Sequence, residues 1–353
     1  MPSLNVTDEH NAIRDLKNEH LQSETRESPC FAAAPTISFE LMPPRSENTI
    51  PQFWNTVAAL EETLPDFISV TYGAGGHNRG SAQEVITRLV RTAPQRSLAH
   101  LTCVGASRAE TTAVIDNYLA NGVRAFLALR GDPPRNGVRM ADELTSSLEL
   151  ITLLKQREYY RCQYSASNVL RGVIHPLIIA VATFPAGNPA AGTTPTQEVE
   201  RLLLKQAAGA SFAITQLFYH SDIYIDFVNE ARAAGVTIPI LAGILPPTHP
   251  QRLRRVEELT GVKADAKLLR RLEEANKADC FHIGVEAAAT LIRDILASGA
   301  PGVHLYTYNQ AEPTLAILQH SHLIGETVSP NLQPRRCDWT PHSTNDTPAA
   351  ATY

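Results

Sequence analysis

The sequence predicts one α/β domain, a (β/α)8 or TIM barrel, and three observations support this fold class. The chain has 353 residues, 43% of them hydrophobic, which is enough for one large core. Eight short apolar runs recur at a spacing of about 30 residues, mostly separated by amphipathic helical patterns. Several runs end in a polar residue, as strands do around a barrel active site. A doubly wound open sheet is the alternative, because sequence does not show closure.

Each predicted strand is a β-branched or aliphatic run that ends near a polar, glycine or proline residue. In chain order the runs are ISFELM, FISVTYG, SLAHLTC, AFLALRG, LIIAVATF, FAITQLFY, IPILAGIL and GVHLYTYN. Helical patterns such as AETTAVIDNYLANGVRA lie between them. Two longer gaps, residues 132–176 and 246–301, are expected to hold additional loop or helix.

The barrel is predicted to span residues 35–326, between two polar segments. Residues 1–34 have little hydrophobic periodicity and predict a flexible N-terminal extension. Residues 327–353 are rich in Pro, Thr and Ser and predict a disordered C-terminal tail.

The composition favours a soluble protein that binds small molecules. The net charge is -5 without a dense basic block, so neither a nucleic-acid nor a membrane partner is expected. The five cysteines contain no CxxC and predict reduced thiols. Since no leader or membrane-spanning pattern is present, we expect a cytoplasmic location. The oligomeric state stays open, a homo-oligomer included.

Polar residues at the ends of most predicted strands indicate a shared pocket. They are Glu40, Thr71, Tyr72, His100, Thr102, Arg130, Asp132, Thr183, Gln216, Tyr308 and Asn309. Glu40 interrupts an apolar run, ISFELM, where burial would raise the pKa of its carboxyl and make it a proton donor near neutral pH. The alternative is that strand alternation turns Glu40 to solvent.

Three further motifs are candidates for ligand contacts. Asp132 follows a strand in ALRGD, where it is either a ligand contact or a cap. Gln216 places an amide in an apolar setting, where it needs a partner. YGAGGHNRG lacks the spacing of a dinucleotide fingerprint, but its backbone could cradle a ligand. Neither a metal-ligand pattern nor a GxSxG motif is present, so proton-assisted chemistry on a heterocycle is favoured.

Seven ordered segments, SFELMPPR, FISVTYGAGG, AHLTC, FLALRGDPP, FAITQLFY, LAGILPP and HLYTYN, resemble the strand-end motifs of the methylenetetrahydrofolate reductase family. The resemblance covers about residues 36–325, the bacterial-type catalytic barrel. It implies reduction of 5,10-methylenetetrahydrofolate by NADH or NADPH. It implies Glu40 as the general acid toward N10, Asp132 as the group that stabilises the N5 iminium, and Gln216 as a pterin contact.

The substrate contacts that the resemblance implies are partly changed. Gln310 stands at a substrate-binding position where the family commonly has an arginine that could meet a glutamyl carboxylate. Arg252 and Val256 stand where a glutamine and a stacking phenylalanine are usual.

The family normally uses bound FAD as a relay between the nicotinamide and the folate. The residues that fit its flavin-contact pattern are Thr71, Tyr72, Ala74, His100, Arg130, Gly131, Asp132 and Lys205. The usual contacts are replaced at Ser146, Phe184, Asn188, Arg201 and Leu204. Two variants therefore stay open, the FAD relay and direct hydride transfer without flavin. Other hypotheses are a methyl-transferring folate enzyme and a noncatalytic folate-binding barrel, although intact Glu40 argues against the latter.

Overall fold

The computed structural model describes residues 34–72, 79–92, 97–131, 142–161 and 177–325. In these ranges eight parallel strands close into a barrel in chain order, and the last strand pairs with the first. The (β/α)8 barrel is thereby confirmed and the doubly wound open sheet is excluded. The predicted tail and the N-terminal extension, apart from Ala34, lie outside the described residues.

All eight strands overlap the predicted apolar runs. They are β1 (Thr36–Leu41), β2 (Phe67–Val70), β3 (Ser97–Thr102), β4 (Ala125–Leu129), β5 (Ile178–Thr183), β6 (Phe212–Thr215), β7 (Ile240–Ile244) and β8 (Gly302–Tyr306). Each is almost entirely buried, as expected of parallel strands covered by helices.

Helices follow every strand in the described ranges. They are α1 (Ile50–Glu61), α2 (Arg79–Thr92), α3 (Arg108–Ala120), α4 (Ser147–Arg161), α5 (Pro195–Ala207), α6 (Ser221–Ala233), α7 (Pro250–Thr260), α8 (Ala266–Glu274), α9 (Lys277–Ala297) and α10 (Ala311–His320). The predicted gap 246–301 holds three of them, α7 to α9. No helix in the described part of the chain has the length and apolar character needed to cross a membrane.

Strand alternation divides the barrel wall into two sides. In β1, Ile37, Phe39 and Leu41 belong to the large apolar cluster that packs beneath the helices. Ser38 and Glu40 point the other way, where their side chains approach histidines of β8 and β3. The barrel interior is therefore polar at the level of these two residues, above a separate apolar cluster that includes Phe67, Leu98, Leu127, Phe212 and Leu241.

A seam of side-chain hydrogen bonds joins β1 to the turn after β8. Thr307 Oγ1 donates to the Glu40 carbonyl at 2.7 Å. The Asn309 amide accepts from the Met42 N–H at 2.9 Å and donates to the Met42 carbonyl at 2.7 Å. Tyr308 and Asn309 have φ angles of 50° and 56°, a left-handed conformation that asparagine tolerates better than most residues. The turn thus fixes the backbone on both sides of Leu41.

We expect Gly243→Ala to destabilise the barrel, because β7 passes very close to β6 and β8 at this residue. A Cβ at Gly243 would lie 2.2 Å from the Thr215 carbonyl oxygen and 2.7 Å from the Tyr306 hydroxyl. The same hydroxyl donates to that carbonyl at 2.7 Å, so the methyl group would separate the pair. The loss should be about 1–3 kcal/mol in urea unfolding.

Gly80→Ala is the matched control for this substitution. Gly80 is exposed in α2, and an added Cβ would meet no atom within 4 Å. The control should leave the free energy of unfolding unchanged or raise it by up to about 1 kcal/mol. Equal effects of the two substitutions would contradict the close approach at Gly243.

Candidate active site

Glu40 and His100 meet inside the barrel near the C-terminal ends of β1 and β3. Glu40 Oε2 lies 3.7 Å from His100 Nε2, and the Glu40 side chain is 21% exposed. Desolvation raises the pKa of the Glu40 carboxyl to about 7. The carboxyl therefore carries its proton on about half of the molecules at neutral pH.

His100 is a neutral neighbour of this carboxyl and not its counter-ion. Burial lowers the pKa of the His100 imidazole to about 3, so the ring is uncharged near pH 7. A separation of 3.7 Å is too long for a hydrogen bond. His100 Nε2 is buried without a hydrogen-bond partner in the described ranges, so it could form a hydrogen bond with a polar group of a ligand.

His304 forms a second polar level deeper in the barrel. Its Nδ1 lies 2.8 Å from Ser38 Oγ, and its Nε2 lies 3.4 Å from Ser69 Oγ. The Phe67 ring stacks on the imidazole with centroids 5.6 Å apart. Burial, and then His100, lower the pKa of His304 to about 3. Ser38, Ser69 and His304 thus form an uncharged, hydrogen-bonded floor beneath Glu40.

The sequence-based reasoning missed this floor, although a signal was present. Ser38 is two positions before Glu40 and therefore on the same face of β1. His304 is likewise two positions before Tyr306, whose hydroxyl binds the Thr215 carbonyl of β6. Strict alternation along these two strands would have identified both residues.

Gln216 follows β6 directly, and one end of its amide is held by the backbone. Its Oε1 accepts from the Leu217 N–H at 2.9 Å, and its own backbone N–H donates to the Thr183 carbonyl at 2.7 Å. The amide nitrogen has no further partner in the described ranges. It is the group of Gln216 that can donate to a ligand.

The predicted flavin-contact residues of β2 to β4 lie together at neighbouring strand ends. Thr71 and Tyr72 follow β2, His100 lies in β3, and Arg130 and Gly131 follow β4. Gly131 has a φ angle of 86°, and a Cβ there would lie 3.1 Å from Thr102 Cβ. Ala74 and Asp132 lie outside the described residues.

Lys205 lies on α5, where its ammonium group is already bound. Lys205 Nζ donates to the Ala182 carbonyl at 2.7 Å. Burial lowers the pKa of this ammonium to about 8, against the opposing effect of Glu198. Arg201 Nη1 donates to the buried Glu198 Oε1 at 3.1 Å. Both of these cations of α5 are therefore committed to protein acceptors.

The other replaced positions have local structural roles or offer no charge. Leu204 is 56% exposed on α5. Ser146 Oγ accepts from the Glu149 N–H at 3.3 Å, and Asn188 Oδ1 accepts from the Ala191 N–H at 3.2 Å. Phe184 has no hydroxyl to donate. On α5, Arg201 is neutralised by Glu198 and Leu204 carries no charge, so only Lys205, held by a neutral carbonyl, could meet the pyrophosphate of FAD and the fit of this helix to FAD is weakened.

Gln310 and Arg252 meet at another side of the mouth. Gln310 is the N-cap residue of α10, and its Oε1 accepts from Arg252 Nη1 at 2.9 Å. The Arg252 guanidinium lies 5.1 Å from the centre of the Tyr308 ring. Val256, one turn further along α7, is buried against Leu217 and Leu245 and is not available for stacking.

A separate cavity lies at the opposite end of the barrel. It has a volume of about 240 Å³ and is lined by Leu64, Pro65, Ile68 and Leu89, among others. It contains none of the predicted site residues. In the described part of the chain, three metal-ligating side chains do not converge anywhere.

The raised pKa of Glu40 predicts a pH-dependent difference in stability between the protein and Glu40→Gln. Below about pH 4.5 the carboxyl is protonated in both the folded and the unfolded state. Between about pH 4.5 and 7 the carboxyl ionises in the unfolded state but keeps its proton in the folded state, so the native protein should lose about 2–3 kcal/mol relative to the variant as pH rises across this window. Urea unfolding of both proteins at pH 5 and pH 8 measures this change. Parallel stability profiles would show that the Glu40 pKa is not raised.

Comparisons with known proteins agree with the motif resemblance. The family model described as methylenetetrahydrofolate reductase matches residues 26–322. The 5,10-methylenetetrahydrofolate reductase of Escherichia coli K12 is 30% identical over 288 residues, which cover 80% of this chain and 88% of the relative. A probable methylenetetrahydrofolate reductase (NADH) of Oryza sativa subsp. japonica is 31% identical over 308 residues, which cover 82% of this chain.

The plant and structural comparisons extend over different shares of each protein. The chain spans about half the length of the rice and Arabidopsis thaliana relatives, 49% and 50%. A solved Clostridium thermocellum protein, described as binding two copies of 5-methyl-5,6,7,8-tetrahydrofolic acid, superposes with a TM-score of 0.52. It is 12% identical and covers 83% of this chain and 96% of its own, so it supports the fold alone. By the family match and the E. coli relative, the chain belongs to the methylenetetrahydrofolate reductase family.

Proposed function

We propose that the chain reduces 5,10-methylenetetrahydrofolate to 5-methyltetrahydrofolate, with NADH or NADPH as the hydride source. The observation that carries this proposal is a carboxyl group, Glu40, with a pKa of about 7 at the C-terminal end of β1. Such a group can give a proton at neutral pH, whereas an ordinary exposed glutamate is almost fully ionised there. A binding protein without catalysis has no need for this proton donor.

Glu40 starts the reaction by giving its proton to N10 of the folate. The bond between the methylene carbon and N10 breaks, its electron pair stays on N10, and a cationic N5 iminium forms. A hydride from the nicotinamide then adds to the methylene carbon and gives the methyl group. The Glu40 carboxylate regains a proton from solvent before the next turnover.

Three further side chains complete the proposed site. The Gln216 amide nitrogen donates to the pterin ring, since the amide oxygen is held by the Leu217 N–H. Asp132 is assigned to stabilising the iminium by the motif resemblance, and it lies outside the described residues. His100 Nε2, buried beside Glu40, would accept or donate one hydrogen bond to the bound ligand.

We further propose direct hydride transfer from the nicotinamide to the folate. The two cations of α5, Arg201 and Lys205, are bound to Glu198 and Ala182, and Leu204 lies exposed beside them. Each missing charge-assisted hydrogen bond to a pyrophosphate costs about 1.5–3 kcal/mol of binding. The strand-end residues Thr71, His100, Arg130 and Gly131 would then hold the nicotinamide nucleotide, whereas the Tyr72 side chain is buried in the apolar cluster beneath the helices.

Glu40→Gln should lower kcat by about 10²–10⁴, because the amide cannot supply the proton. Anaerobic oxidation of NADH and NADPH with methylenetetrahydrofolate measures this loss. In the native protein the rate should fall as pH rises above about 7, where Glu40 ionises. Glu62→Gln, on an exposed residue after α1, is the control and should keep the native rate. Unchanged turnover in Glu40→Gln would exclude Glu40 as the acid.

Direct transfer predicts a colourless purified protein with sequential kinetics, because both ligands must occupy the site together. The visible absorption spectrum before and after denaturation quantifies any flavin. A stoichiometric flavin band with ping-pong kinetics would overturn direct transfer and leave folate reduction in place. Failure to oxidise either nicotinamide in the presence of methylenetetrahydrofolate would overturn the reductase itself.

A further inference from the structure

Arg252 differs from the other arginines of α7 in its partners. Arg254 pairs with Glu273, and Arg255 pairs with Glu258 at 2.8 Å, both on the exposed side of the helix. Arg252 is half-buried and has no carboxylate within ion-pair distance in the described ranges. A positive charge that is partly removed from water is stabilised when an anion binds to it.

Neutral groups hold Arg252 in place without neutralising it. Nη1 donates to Gln310 Oε1 at 2.9 Å, and the guanidinium lies 5.1 Å from the centre of the Tyr308 ring. Arginine has five N–H donors in a fixed fork, and only one is used in the described ranges. The remaining donors are positioned but unpaired, as in a site prepared for a carboxylate.

The place of Arg252 relative to Glu40 agrees with a ligand that reaches both groups. Tyr308 lies within electrostatic reach of both side chains, since Glu40 raises and Arg252 lowers the pKa of its hydroxyl, after the larger effect of burial. Tyr219, packed in the same apolar cluster as Tyr308, has a buried hydroxyl without a partner in the described ranges. Tyr308 therefore lies near both the Glu40 carboxyl and the Arg252 guanidinium.

We propose that Arg252 binds a carboxylate of the glutamate part of the folate substrate, with Gln310 orienting the guanidinium. The assignment rests on the proposed function, because it places the pterin at Glu40 and the benzoylglutamate along Tyr308. In this chain the cation comes from the first turn of α7, after β7. Position 310, at the start of α10, supplies only a neutral acceptor. Arg252 is accordingly a specificity-determining residue for the substrate tail.

The test compares binding of two ligands by calorimetry. One is 5-methyltetrahydrofolate, and the other is 6-methyltetrahydropterin, which lacks the benzoylglutamate. For Arg252→Gln we expect the Kd for 5-methyltetrahydrofolate to rise about 10- to 100-fold, because one charge-assisted contact is lost. The Kd for 6-methyltetrahydropterin should stay within about twofold of the native value, because that ligand has no carboxylate.

Three variants separate charge recognition from damage to the fold. Arg255→Gln removes an exposed charge from the same helix and should bind both ligands as the native protein does. Arg252→Lys keeps the charge without the fork and should give an intermediate Kd. Arg252→Gln combined with Gln310→Arg moves the guanidinium to the other end of the same hydrogen bond and should recover part of the affinity.

The outcomes also separate this assignment from the proposed function. In turnover, Arg252→Gln should raise KM for methylenetetrahydrofolate and leave kcat within about twofold, since a tail contact contributes uniform binding. Native affinity of Arg252→Gln for 5-methyltetrahydrofolate, with turnover intact, would overturn the Arg252 assignment alone. An equal loss for both ligands would also overturn it. A native protein that neither binds nor turns over the folate would overturn both proposals.

Discussion

Desolvation of the Glu40 carboxyl is the constraint on which the rest of the site depends. The group must lose enough water to keep its proton near pH 7, yet remain 21% exposed so that a ligand can reach it. The barrel meets both requirements because Glu40 lies near the C-terminal end of β1 and its side chain points into the barrel. There it lies between the buried polar floor and the open mouth. Its neighbours in β8 and β3 are uncharged.

The choice of neutral neighbours matters as much as burial. A cation next to Glu40 would favour the carboxylate and lower its pKa, which would remove the proton donor. His100 and His304 are buried deeply enough that their own pKa values fall to about 3, so they add polarity without charge. Arg252 lies against the Tyr308 ring and forms no ion pair with Glu40 in the described ranges. The proposed proton donor and the proposed anion-binding residue are therefore separate groups at one mouth.

The sequence was sufficient to predict the strands, and it singled out Glu40 as the strongest site candidate, for physical reasons. Apolar runs of the right length and spacing predicted all eight strands, and a carboxylate within ISFELM marked Glu40 as unusual. Closure between β1 and β8 was not predictable from local patterns, since it depends on contacts between the two ends of the domain. The pairing of Arg201 with Glu198, and the capture of Lys205 by a backbone carbonyl, required three-dimensional distances. Ala74 and Asp132 stay predictions.

The seam between β1 and the turn after β8 has a consequence for the order of events in folding. The Thr307 hydroxyl and the Glu40 carbonyl that it contacts are 267 positions apart in the chain. Contacts of such long range form late, because closing a long loop costs entropy before the contact repays it. Glu40 therefore acquires its dry surroundings only when the last strand docks. A folding intermediate that lacks β8 would carry an ordinary, ionised glutamate, so the raised pKa of Glu40 arises in the same step that closes the barrel.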